Sequence, residues 1–149
     1  MNIDEAIQQQ NFQSVYQKMV INILFTSSWL EDGNSKIMRG KNLSITQFNV
    51  LRILRGSHPK PCTAQDIQER MINKRSDVTR LVERLRKMDL VTREVCAENR
   101  RKVDIEITKK GLDLLNELDP MIEESSKALK KLITTEAEQL SNLLDKLRS

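Results

Sequence analysis

The chain is short of the residues on which several protein classes depend. Its two cysteines, Cys62 and Cys96, are too few for a disulfide framework or a four-ligand zinc site. The single histidine, His58, leaves no pair for a zinc protease and no spare imidazole for most catalytic triads. Four glycines, three phenylalanines, one tyrosine and one tryptophan are a poor supply for a β-sandwich, a barrel or a glycine-rich phosphate loop. No stretch approaches the roughly 18 consecutive apolar residues of a membrane span. The polar segment Met1–Gln10 lacks the apolar centre of a signal peptide. With no catalytic dyad, metal cluster or nucleotide loop in the pattern, neither an enzyme nor a cofactor is expected. A reducing, cytoplasmic setting is.

What the chain has is charge, unevenly placed. Its 149 residues carry 25 Lys+Arg against 21 Asp+Glu, a net +4, and suit one domain over 1–149. Residues 1–73 hold 8 basic and 6 acidic groups, residues 74–110 hold 12 and 7, and residues 111–149 hold 5 and 8. The basic excess sits in the middle and one end is acidic. A polyanion-binding module joined to another element has this profile, and so does a solvated Lys/Arg-rich helix face; charge alone leaves both open.

Periodicity supplies the elements. Phe12, Val15, Tyr16, Met19 and Ile23 recur at helical spacing, with Gly33 and Gly40 bracketing a loop-like stretch beyond. Ser44-x-x-Gln47 is a capping box for a helix lined by Phe48, Val50, Leu51 and Leu54, which Gly56–Pro61 ends. Thr63, with Asp66, caps a short helix whose Ile67 and Met71 point inward. A further helix over Asn73–Met88 has a narrow apolar stripe (Val78, Leu81, Val82, Leu85, Met88) and basic or polar residues elsewhere. Asp89 follows at a left-handed cap position. The period then falls to 2: Val91, Arg93 and Val95, then Val103, Ile105 and Ile107, form a β-hairpin with the basic tip Asn99–Lys102. Thr108 caps a long helical region containing Pro120, and Thr135-x-x-Glu138 reads as the capping box of a last helix.

The order is a helix-turn-helix followed by a hairpin: a mainly α fold with a small β wing. A helix that packs by one narrow stripe leaves its other sides free to enter a major groove about 12 Å wide. Its first residues meet base edges, and a basic hairpin tip reaches a flanking minor groove, where arginine is attracted. Lys74, Arg75, Ser76, Thr79, Arg80 and Arg84 are the candidate contacts on the recognition helix; Arg93, Asn99, Arg100, Arg101 and Lys102 are those of the wing. Arg80 has the alternative role of a phosphate clamp.

The segments Leu43–Leu51, Lys74–Leu85, Asp89–Arg93, Asn99–Val103 and Ile107–Gly111, in this order and spacing, resemble the MarR-type winged helix-turn-helix regulators over roughly residues 43–147. The resemblance implies a homodimeric, DNA-binding transcription regulator, a repressor responsive to a small-molecule effector, and pseudo-palindromic sites on double-stranded DNA. Two positions depart from the family: Asn99 stands where an aspartate usually holds the wing arginine, here Arg101, and Asp89 stands where glycine is usual. Residues 43–109 form the expected DNA-binding region, and 10–30 and 110–149 the dimerisation helices, whose apolar stripes one small domain cannot cover. The competing reading is a winged-helix adaptor for protein or RNA. Cys96, close in sequence to Arg93 and Arg100, has the setting of an oxidant-sensing thiol, which Glu94 and Glu98 oppose. Cys62 reads as a small residue before a cap, His58 as a loop residue, and Tyr16 and Trp29 as core.

Overall fold

A computed structural model describes residues 1–149. The elements are α1 (Ile3–Ala6), α2 (Val15–Arg39), α3 (Ile45–Ser57), α4 (Ala64–Arg70), α5 (Val78–Lys87), β1 (Val91–Val95), β2 (Val103–Ile107), α6 (Lys109–Ser126), a 3-10 segment (Lys127–Lys131) and α7 (Thr134–Arg148). The architecture is mainly α with a two-stranded antiparallel hairpin. No helix is long and apolar enough to cross a membrane.

Local chemistry explains most boundaries. Ser44 and Gln47 satisfy each other's backbone N–H groups at the start of α3, at 3.1 and 2.9 Å. Thr63 and Asp66 do the same for α4, at 3.1 and 2.8 Å. The Thr108 hydroxyl accepts from Gly111 N–H and donates to the Asp89 carbonyl, joining the start of α6 to the end of α5.

Four boundaries differ from the sequence expectation. Helix α2 starts at Val15, capped by Ser14, rather than at Phe12. It also continues through the stretch bracketed by Gly33 and Gly40, expected as a loop, because Met38 and Ile37 pack on the core; that packing outweighs the roughly 1 kcal/mol cost of a helical glycine. The helix ends at Arg39, and the chain turns away at Asn42, whose φ of 54° is left-handed, with Leu43 N–H returning to the Met38 carbonyl and Asn42 N–H to that of Arg39. Helix α5 begins at Val78, not near Asn73, since Asp77 accepts from Arg80 N–H as its cap. Helix α7 begins at Thr134, where the Glu136 carboxylate accepts from Ile133 N–H; Thr135 and Glu138 lie inside the helix.

The core is one cluster of 18 buried residues running from Met38 to Leu118. It joins the last turn of α2, helices α3 to α5, the hairpin and the first half of α6. Arg55 grips Asp119 with both guanidinium nitrogens, at 2.8 and 3.1 Å, and Lys41 meets Glu117 at 2.7 Å. Both pairs strut α6 against this body. The two chain ends contribute nothing to the cluster. Tyr16 and Trp29, expected as core, are 72% and 51% exposed, and Val15, Leu24, Leu140 and Leu143 are similarly open. Much of the apolar stripe on α2 and α7 is thus open to solvent, with Ile21, Ile23 and Leu144 half-buried alongside it.

Candidate nucleic-acid interface

The turn between α4 and α5 is fixed from several sides. Asn49 on α3 accepts from Ile72 N–H at 3.0 Å, Asn73 accepts from Arg75 N–H at 3.0 Å, and Gln68 donates to the Lys74 carbonyl at 3.0 Å. Lys74 turns its ammonium back to the Glu69 carbonyl at the end of α4. Lys74, Arg75 and Ser76 therefore occupy this turn rather than the helix on which the periodicity places them. Ser76 is half-buried, with its hydroxyl enclosed and without a hydrogen-bond partner. Arg75 is exposed.

On α5 the buried side is Val78, Val82 and Leu85. At 100° per residue, Thr79, Arg80 and Arg84 lie about 100°, 200° and 240° round the axis from Val78. Arg80 thus stands nearly opposite the core, with Thr79 and Arg84 on its two flanks; all three are exposed. Glu83 shares the outer side, but Arg86 holds it with two hydrogen bonds of 2.9 and 2.8 Å. That guanidinium, the first cause, pulls the Glu83 carboxyl below its ordinary range.

The hairpin pairs Val91 with Ile107, Arg93 with Ile105 and Val95 with Val103. Cys62 adds a third rung beside Ile105, exchanging backbone hydrogen bonds of 2.9 and 2.8 Å. Arg93, Ile105 and Cys62 therefore form one row across the sheet, and the residues after Cys62 are brought up to the wing. At the tip, Asn99 accepts from Arg101 N–H at 3.1 Å through its side chain, and its carbonyl accepts from Lys102 N–H at 2.9 Å. Asn99 shapes the tip as a turn residue. Cys96 N–H closes the loop on the Lys102 carbonyl at 2.8 Å.

These elements enclose an open groove of about 390 Å³. Thr79 of α5 and Arg93, Asn99, Arg101 and Lys102 of the hairpin all line it. So do Thr63 and Gln65 at the start of α4, which the sequence reading missed. Their proximity depends on the Cys62–Ile105 bridge, a pairing no local pattern announces. No acidic residue lines the groove. Arg75, Arg80, Arg84 and Arg100 do not line it; they extend the cationic surface along the turn, the helix and the tip.

The candidate cations of this surface are free of carboxylate partners. Lys18, Lys41, Arg55, Arg86, Lys109, Lys127 and Arg148 each meet a carboxylate. None of Arg75, Arg80, Arg84, Arg93, Arg100, Arg101 or Lys102 has an acidic partner. Exposed, unpaired cations on adjoining elements attract a polyanion over a distance of about one Debye length.

A family model described as the MarR family matches residues 43–103, which carry α3, α4, α5 and the wing tip. The chain is similar to the HTH-type transcriptional regulator MhqR of Bacillus subtilis (strain 168), with 29% identity over 91 residues. That match spans 61% of this chain and 61% of MhqR, about three-fifths of the relative's length. It is similar at 31% identity to a MarR transcription factor from Planctomyces limnophilus, with a TM-score of 0.70 over 91% of this chain and 98% of that one. Bordetella bronchiseptica BpsR, whose DNA binding is regulated by 6-hydroxynicotinic acid, shares the fold at 21% identity, with a TM-score of 0.79 over 93% and 99% of the two chains.

Proposed function

The chain belongs to the MarR family of winged helix-turn-helix, DNA-binding transcription regulators, and we propose that it acts as a homodimeric, small-molecule-responsive repressor on a pseudo-palindromic site in duplex DNA. The observation that carries the reading is the run of unpaired cations over the α4–α5 turn, the outer side of α5 and the hairpin. In this reading α5 enters the major groove, Arg75 and Arg80 meet base edges, and Arg100 and Arg101 carry the wing to the minor groove. Residues 10–30 and 110–149 pair with a second copy through the open stripes of α2 and α7. Two-fold symmetry then sets the recognition helices about 34 Å apart, one turn of B-DNA. Control by a small molecule rests on the likeness to BpsR.

Selection of bound sequences from a random DNA pool tests this directly. A palindromic winner bound more tightly than scrambled duplex is the expected result. Equal affinity for the two, with a shallow salt dependence, would favour the adaptor reading instead.

A further inference from the structure

One apolar side chain in the DNA-binding region serves neither the core nor the pairing of two copies. Ile72, in the turn between α4 and α5, is 81% exposed, more than any other large hydrophobic residue except the terminal Met1. The other open ones lie mostly on α2, α7 and the 3-10 segment, away from the reading surface. A lone exposed isoleucine is ordinary in itself. The setting of this one is not, because it stands beside Lys74 and Arg75 on a turn held in place from several sides.

We infer that Ile72 is a specificity-determining residue: it packs against the C5-methyl group of a thymine in the major groove, next to the bases met by Arg75. The inference rests on the DNA-binding reading above and adds to it a base type that an arginine does not select.

Three features support it. The first is direction and rigidity. Met71 is buried and extended, at φ −63° and ψ 137°, so the side chain after it turns away from the core. Ile72 N–H donates to Asn49 Oδ1 at 3.0 Å, and its β-branched side chain is stiff at χ1. Little freedom is left to lose on contact. The second is place. Ser76 N–H donates to the Asn73 carbonyl at 3.1 Å, closing a tight turn that Ile72 enters and in which Arg75 sits. That turn leads directly into α5, whose first residues are those that meet base edges. The third is chemistry. Residues 72–76 hold Lys74 and Arg75 and no acid, and the carboxylate of Asp77 is engaged by Arg80 N–H. A polyanion is what such a surface draws in. In the major groove of a duplex the base edges present donors and acceptors, and the thymine methyl is the apolar group among them. An isoleucine delivered there by its cationic neighbours gains only against that methyl.

The test uses the full chain and the duplex recovered by selection, with each thymine in turn replaced by deoxyuridine, which removes the methyl and keeps the base pair. In the wild type one such replacement per half-site should weaken binding about fourfold, the worth of one buried methyl-sized group. Ile72→Ala should lose about the same factor on the unmodified duplex and nothing further at that deoxyuridine. Its slope of log K against log salt should match the wild type, because no charge is removed. Its melting should match as well, because the side chain is open and Asn49 holds only the backbone. Equal deoxyuridine penalties in wild type and variant would overturn the inference, as would a selected half-site without thymine. Unchanged affinity of Ile72→Ala for the selected duplex would overturn it too, and would leave Ile72 to a protein partner. In each of these cases a wild-type preference for the selected duplex over scrambled DNA keeps the regulator reading in place; absence of that preference would remove both.

Discussion

Arg80 and Glu83 show how single side chains set the character of the surface. Both project from the outer side of α5, three residues apart. Glu83 would repel a phosphate, but its charge is occupied by Arg86 through two hydrogen bonds, whereas Arg80 is left open. Arg80→Ala is expected to cost about 1–3 kcal/mol on the preferred duplex and little on scrambled DNA, as for loss of a bidentate base contact; a fluorescence-anisotropy titration on both duplexes would measure it. Asp66 gives a prediction in pH. Hydrogen bonding to Thr63 is the leading cause that holds its carboxyl below the ordinary value of 3.8, with Lys102 and Lys60 adding to the effect. A depressed folded value means that the stabilisation is fully present above the unfolded value and is lost as pH falls through the folded one. Denaturation at pH 7 and near pH 3 should therefore show the gap between wild type and Asp66→Asn shrinking on the acid side. At this scale the sequence was readable where a side chain caps its own helix, as Ser44, Thr63 and Thr108 do. It misled at Asn73, because Asn73 and Asp77 both cap a backbone N–H within four residues and only the second opens a helix.

Among the elements, the junction of α5, the hairpin and α6 is the most constrained. Helix α5 ends with Asp89 at φ 60°, with Leu90 N–H returning to the Leu85 carbonyl and Asp89 N–H to that of Arg86. Thr108 then bonds the Asp89 and Leu90 carbonyls, and Lys110 reaches that of Met88. Gly111 is the residue this junction cannot enlarge. A Cβ there would stand 2.5 Å from the Leu90 carbonyl oxygen and 2.7 Å from Ile107 Cγ1. Gly111→Ala should thus lower stability by about 1–3 kcal/mol, like other overpacked sites, and urea denaturation would register it as a reduced midpoint. The hairpin itself was legible from its period of 2. The third rung through Cys62 was not, since it joins residues 43 positions apart in the chain, and with it went the roles of Thr63 and Gln65. Helix α2 was misjudged for a related reason: Gly33 is a local signal, and the burial of Met38 that overrides it is a tertiary one.

For the whole molecule, the division between a packed centre and uncovered ends is the dominant fact. The core stops at Leu118, while α2 and α7 present Leu24, Trp29, Leu140 and Leu143 to solvent. Apolar area of this kind in a monomer marks an association surface. Leu143, 63% exposed, adds little to the fold of one copy. Leu143→Glu is expected to leave the melting of the centre almost unchanged while shifting sedimentation toward monomer and weakening binding to the palindromic duplex. Retained dimer at micromolar concentration would contradict the assignment of α7. The amphipathic stripes at both ends were visible in the sequence, as was their excess over what one small domain covers; which of their residues the chain's own core takes was not, because periodicity marks a buried side without saying what buries it.

Pro120 follows immediately after Asp119, the last residue of α6 strutted to the body by Arg55. Lacking an N–H, it leaves the Asn116 carbonyl without its usual donor, so the helix is most compliant just where bracing ends. Below that point, the twelve residues down to Thr108 form an arm of about 18 Å. A tilt of about 10° at Pro120 would carry the far end roughly 3 Å, close to the 3.4 Å advance of a single base along one strand. In a paired molecule, a modest change of angle between the two copies would thus be converted into a one-step misalignment of each reading head on its half-site.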